Sequence, residues 1–180
     1  MGNLILVLSL FIVFRAPAAQ YCYDNSQCPA YQTCSGGSSW GSSPGKCSIS
    51  NGDEDKSSKN KNLIINFYNL AINNHKPAEA AARYIGDQYI QHNPLIGDGK
   101  EAFIDFFEDR FKKYPNFHGE IKRIMSDGNL VILHVHSKPE PTSRGRAIVD
   151  IFRIDNDKIV EHWDVIQEIP ETSANNNGMF

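Results

Sequence analysis

The stretch FHGEIKRIMSDGNLVILHVHSKPEPTSRGRAIVDIFRIDNDKIVEHWDVIQE, Phe117 to Glu168, decides the fold of this chain. Its pattern has period two in four runs: Phe117 to Met125, Leu130 to Ser137, Gly145 to Ile154 and Lys158 to Glu168. The breaks between them, Asp127-Gly128-Asn129, Lys138 to Arg144 with two prolines, and Asp155-Asn156-Asp157, all have turn chemistry. Four strands at such short spacing predict an antiparallel meander. Upstream the period is helical. Leu63, Phe67 and Leu70 recur with Ile64, Tyr68 and Ala71 as one broad apolar face that ends at Asn73-Asn74. A second helix starts at Pro77, a residue tolerated in the first helical turn, and runs to Tyr84. Gln88 to His92 predicts a short strand closed by Asn93-Pro94. A third helix follows Gly97-Asp98-Gly99, with Phe103, Phe106, Phe107 and Phe111 in one stripe. That stripe is expected in the core, because a surface helix would not leave four phenylalanines in water. About three helices followed by a meander make an α+β fold, with the helices packed on one face of a curved antiparallel sheet.

The chain has 180 residues, of which 41% are hydrophobic, enough for one sizeable core with something small appended. Net charge is −3 and the basic residues are scattered among acids, which argues against nucleic acid as a partner. No internal repeat and no dinucleotide- or phosphate-loop glycine pattern is present. Residues 1–19 carry an apolar run, Leu4 to Phe14, followed by Ala16, Ala18 and Ala19 as a small-residue cleavage site, and predict a secretory signal peptide. A membrane anchor is the competing interpretation, but the run falls short of the ~20 residues a bilayer core requires, so no stable insertion is expected after cleavage.

All four cysteines, Cys22, Cys28, Cys34 and Cys47, fall within residues 20–48. In a short Gly/Ser-rich segment of an exported chain they predict two disulfides of undetermined connectivity in a small cysteine-rich module. Zinc is the alternative, but the knuckle spacing of structural zinc sites is absent and no histidine lies among these cysteines. Residues 49–61 are polar and charged and are expected to form a flexible linker to a main domain spanning 62–180.

Several titratable residues sit in strands that otherwise have core composition. His134 and His136 are two apart in one run, so both rings leave the same face of the sheet. Asp150 lies in Ala147-Ile148-Val149-Asp150-Ile151-Phe152, where an ionised carboxylate is costly unless paired. His162 and Asp164 share a face opposite to Glu161 and Trp163, and His92 ends a short strand, a common place for pocket residues. Groups buried together shift one another's proton affinity, which is what proton transfer needs. For each the bland alternative is a surface or hydrogen-bonded core residue. A His-x-His pair also suits zinc or iron, but with no evident third ligand a metal is not expected.

Tyr89-Ile90-Gln91-His92-Asn93-Pro94, Gly99-Lys100-Glu101-Ala102-Phe103, Val149-Asp150-Ile151-Phe152-Arg153 and the run Lys158 to Gln167 resemble the SnoaL-like family, of nuclear-transport-factor-2-like fold. The resemblance is specifically to the branch of that family described as predicted aldol-condensation-catalysing enzymes. The resemblance runs from about Asn62 to Phe180. It implies a cone-shaped domain with a pocket, often in a homodimer paired through the sheet, and acid/base catalysis by an Asp and a His without metal or organic cofactor, as in polyketide cyclases. By position Asp150 and His136 are the expected counterparts, with His134 and His92 as further catalytic candidates. Trp163, Phe103, Phe107, Tyr89, Asp164 and His162 are expected to bind or wall off the substrate. The function expected is a secreted, cofactor-independent cyclase, lyase or isomerase acting on a small carbonyl compound. The alternative is a non-catalytic module for a small apolar ligand or for dimerisation, with the cysteine-rich segment as an interaction element.

Overall fold

The computed structural model describes residues 51–180, together with the short strands 21–22, 33–35 and 45–48. The chain divides into two units, Met1–Asn51 and Gly52–Phe180. In the first, strands β1 (Tyr21–Cys22), β2 (Thr33–Ser35) and β3 (Gly45–Ser48) form an antiparallel sheet in the order β1-β3-β2. Cys34 and Cys47 stand opposite one another in the β2–β3 register, and none of the described cysteines is free. The expected signal peptide and Cys28 lie outside the described residues. No helix among the described residues is long and apolar enough to cross a membrane.

From the boundary onward the chain runs α1 (Asn51–Tyr68), a π-helical turn (Asn69–Asn73), α2 (Pro77–Tyr84), β4 (Ile85–Gln91), α3 (Gly99–Lys113), β5 (His118–Asp127), β6 (Leu130–Lys138), β7 (Arg146–Asp155) and β8 (Lys158–Glu168). Strands β5 to β8 form the expected meander, and the five-stranded sheet has the order β4-β8-β7-β6-β5. Asn156 and Asp157 both take positive φ, the conformation that a two-residue hairpin between right-twisted strands requires. Val131, Leu133 and Val135 of β6 pack with Phe152 of β7 and Ile159 of β8 against Ile64, Phe67, Ala80 and Phe103 of the helices. The face they share is the inner face. This curved, unclosed sheet with its helices on one side is an α+β cone.

Three expectations need correction. The sheet is mixed, because β4 starts at Ile85 and pairs parallel with β8. Its route back to the sheet passes through α3 and the whole meander, a crossover long enough for parallel entry. The residues 51–61 expected as flexible linker belong to α1. Ser57 bonds Ser126 (2.5 Å), Lys59 meets Asp157 (2.6 Å) and the buried Asn60 donates to the Gly128 carbonyl (3.2 Å), so the polar helix end is tied to two hairpin turns. Of the phenylalanine stripe, Phe103 and Phe111 are buried and Phe107 packs at the edge of the core, whereas Phe106 is only half-buried and lines a cavity.

Candidate active site

The inner face is apolar where the helices cover it, and a cavity of about 110 Å³ remains between α3, the π-helical turn and β7–β8. Phe67, Tyr68, Ile72, Phe103, Phe106 and Phe107 wall one side. Alternation along β7 turns Arg146, Ile148, Asp150 and Phe152 into it, and alternation along β8 turns in His162, Asp164 and Ile166. From β4 and the turn after it come Tyr89, Gln91 and Asn93.

At the inner end of the cavity these polar groups form one network. His162 Nε2 lies 3.1 Å from Asp150 Oδ1, and both residues are 7% exposed. His162 Nδ1 lies 2.8 Å from Gln91 Oε1. That same oxygen accepts the backbone N–H of Asn93 at 3.0 Å, so the Gln91 amide orientation is fixed. A backbone N–H can only donate, so Nδ1 must be the protonated nitrogen of His162. Nε2 then faces the Asp150 carboxyl across a gap that must hold a proton, on one partner or the other. Gln91 Nε2 donates to the Tyr89 hydroxyl oxygen (3.3 Å), leaving the phenolic hydrogen free to point elsewhere. Asn93 Nδ2 donates to Asp164 Oδ2 at 2.6 Å, and its own Oδ1 accepts from the Leu95 N–H at 2.9 Å.

Electrostatics follow from that layout. Burial pushes the Asp150 carboxyl above the ordinary carboxylate range; Asp164 adds to the rise, and the hydrogen bond and charge of His162 oppose it. Asp150 and Asp164 are register partners on neighbouring strands, and a like charge directly opposite disfavours ionisation of Asp150. Burial, then the Asp150 charge, raises the Tyr68 and Tyr89 phenols well above the usual tyrosine range, so both stay protonated as donors. Tyr68 is held close to the edge strand β5: a Cβ on Gly119 would run into its ring and hydroxyl. The Asn73 side chain clamps the same glycine, accepting its N–H (2.9 Å) and donating to its carbonyl (3.0 Å).

Asp150, His162 and Asp164 each offer a ligand atom within 4.8 Å of the others, a donor set of one imidazole and two carboxylates that suits a divalent cation. All three side chains already have hydrogen-bonding partners, namely each other, Gln91 and Asn93.

Of the residues expected to be catalytic, only Asp150 lies in the cavity. His134 and His136 do share a face, but it is the outer one. There His134 Nδ1 lies 3.0 Å from Arg123, His136 Nε2 lies 2.8 Å from the Arg144 carbonyl, and both rings stack on Phe180. His92 is also outside, stacked on Trp163 at 4.7 Å and bonded to Glu161 (2.9 Å), so Trp163 does not wall the pocket. The physical reason is the strict alternation of the strands: β6 gives Val131, Leu133, Val135 and Ser137 to the helices, which sends the intervening histidines outward. Phe103, Phe107, Tyr89, Asp164 and His162 line the cavity as expected, with His162 directly against Asp150. Sequence reasoning missed Tyr68, Gln91, Asn93, Arg110 and Arg146. The period-two series Tyr89, Gln91, Asn93 carries a signal for two of them, since it puts both on the face of a buried tyrosine.

A family model for the SnoaL-like domain matches residues 64–162, more than half of the chain. No curated protein matches it. Among solved structures, a candidate ketosteroid isomerase from Kribbella flavida superposes with a TM-score of 0.54 at 14% identity, over 68% of this chain and 87% of that one. TsrD from Streptomyces laurentii gives 0.51 at 16% identity, over 61% and 88% respectively. A SnoaL-like protein of unknown function from Burkholderia thailandensis gives 0.51 at 14%, over 61% and 95%. At these identities the likeness is one of fold.

Proposed function

This chain belongs to the SnoaL-like family, and on that footing we propose that it is an acid/base enzyme of cyclase or isomerase type, acting without a cofactor on a small carbonyl compound. One observation carries the proposal: a buried carboxyl and a buried imidazole lie within hydrogen-bonding distance of one another at the wall of a cavity lined largely by apolar rings. With the proton between them on His162 Nε2, Asp150 is a carboxylate whose Oδ1 is held by the imidazolium. Its Oδ2 is free to take a proton from the carbon next to a carbonyl. The C–H electron pair becomes the enolate π bond, and the carbonyl π pair moves to oxygen. A phenolic O–H, from Tyr89 or Tyr68, then stabilises that oxyanion in a site from which the surrounding rings exclude water. Reprotonation at another carbon gives isomerisation, and attack on a second carbonyl gives aldol ring closure.

The test is deuterium uptake next to the carbonyl in a panel of small ketones and β-dicarbonyl compounds, followed by NMR. The native protein should accelerate exchange, and Asp150→Asn should lower the rate about 10²- to 10⁴-fold. Absence of exchange throughout the panel sinks the enzyme assignment. The strongly apolar lining favours, as a second possibility, a module that only holds an apolar ligand; its mark is binding that survives Asp150→Asn with no turnover in either protein.

The rest of the proposal concerns setting. We place the protein outside the cell, with a cleaved signal at residues 1–19 and two disulfides among Cys22, Cys28, Cys34 and Cys47. We also propose a homodimer through the outer face of the sheet, where Val149 and Val165 are exposed. Mass spectrometry of the exported chain and sedimentation test these points.

A further inference from the structure

Two guanidinium groups line the same cavity as the Asp150–His162 pair, Arg110 from α3 and Arg146 from β7. Their setting is unusual for cations. Arg110 Nε is buried without a hydrogen-bond partner, the only such side-chain atom among the described residues. Its guanidinium lies over the rings of Phe106 (5.3 Å) and Phe117 (5.2 Å), which orient it but offer no acceptor. Among the described residues Arg110 makes no ion pair, whereas Arg146 is held by Glu168 through Nε. Two arginines against one carboxylate leave this end of the cavity with an excess positive charge. Burial and the neighbouring Arg146 both work against the charge on Arg110. A half-buried arginine beside another arginine, with a donor to spare, has the chemistry to bind an anion.

We propose that the substrate carries a carboxylate, which Arg110 and Arg146 bind while its carbonyl group meets Asp150 and His162. This rests on the acid/base assignment above and names the substrate class for it. The spacing follows from β7. Arg146 and Asp150 are four residues apart on one face, about 13 Å between Cα atoms, with Ile148 turned into the cavity between them. The ligand is therefore a keto acid in which an apolar segment, lying over Ile148 and against Phe106 and Phe107, separates the carboxylate from the reacting carbon.

The probes are unbranched methyl-ketone carboxylates of increasing chain length, beginning at levulinate, each paired with its neutral primary amide. Binding to the full chain is measured by calorimetry. At the best chain length the carboxylate should bind about tenfold or more tightly than the amide. Arg110→Met, which preserves contact with the two rings, and Arg146→Gln should each reduce that preference. The double variant should abolish it, leaving acid and amide with equal affinity, and circular dichroism checks that each variant is folded. Equal affinity for acid and amide at every length, no binding of any carboxylate, or a preference that survives the double substitution overturns the proposal. Asp150→Asn separates the two ideas: it should remove exchange chemistry and leave the carboxylate preference in place. Exchange activity without a carboxylate preference would refute the anion site alone.

Discussion

Replacing Gln91 by leucine tests the proton arrangement of the site. In the native protein Gln91 Oε1 accepts from two buried donors, His162 Nδ1–H and the Asn93 N–H, at 2.8 and 3.0 Å. Leucine has similar bulk and no acceptor, so both donors lose their partner. An unsatisfied buried donor costs about 1–3 kcal/mol, and the two together about 2–6 kcal/mol. Gln91 is only half-buried, so water can reach one of them, which places the expected loss at the lower end, about 2–3 kcal/mol. The loss has a second signature. Nothing then holds the proton on Nδ1, so His162 is free to place it on Nε2 and donate to Asp150, the tautomer that the native site excludes. Urea denaturation reads the stability, and nitrogen-15 NMR of the His162 ring reads the tautomer. Gln91→Glu preserves both acceptor contacts and should recover most of each. The reasoning is refuted if Gln91→Leu changes stability by less than about 0.5 kcal/mol and leaves the proton on Nδ1.

Other predictions follow from single residues. Because burial raises the Asp150 carboxyl, the folded state holds its proton more tightly than the unfolded state. Its contribution is therefore complete below the ordinary carboxylate value of about 3.9 and is lost as pH rises through the folded value. Asp150→Asn should flatten the decline in stability above about pH 4, and identical pH slopes in urea titrations of the two proteins would contradict this. Gly119→Ala puts a methyl group into the buried Tyr68 ring and should cost about 1–3 kcal/mol as an overpacking change; an unchanged melting temperature would mean that Tyr68 moves aside freely. Asn60→Ala removes the bond to the Gly128 carbonyl and should destabilise by about 1 kcal/mol. It should also speed amide exchange in the first turns of α1, and if it does not, that bond is not what holds this polar segment helical.

Much of the fold was legible because local rules agreed with it. The meander announced itself through alternation and through turns such as Asp155-Asn156-Asp157, where positive φ is realised. Asp150 was legible as a charge in an apolar run, and His162 with Asp164 as residues sharing a face. What alternation cannot supply is which face turns inward. For β6 the answer was present in composition, since Val131, Leu133 and Val135 make a better surface for helices than Ile132, His134 and His136 do. The histidine pair nevertheless drew the catalytic assignment outward. The parallel partnership of β4 with β8, and hence the meeting of Gln91 with His162, depends on pairing between residues far apart in the chain, for which no local pattern exists. The helical state of residues 51–61 depends likewise on contacts to distant turns.

That β4–β8 pairing bears on the order of events when the chain folds. Strands β5 to β8 are joined by short connections and close their ladders locally, whereas Gln91 and His162 are 71 residues apart. Loop-closure entropy puts the local ladders first and the distant pairing last. Asp150 and His162 already face one another across the local β7–β8 ladder, so what awaits the docking of β4 is the Gln91 and Asn93 side of the network. Substitutions of Gln91 and Asn93 should therefore act mainly on the rate of unfolding, and hardly on the rate of folding. A chain of this design can therefore vary the residues that orient its buried histidine while leaving the speed at which it reaches the native state almost untouched.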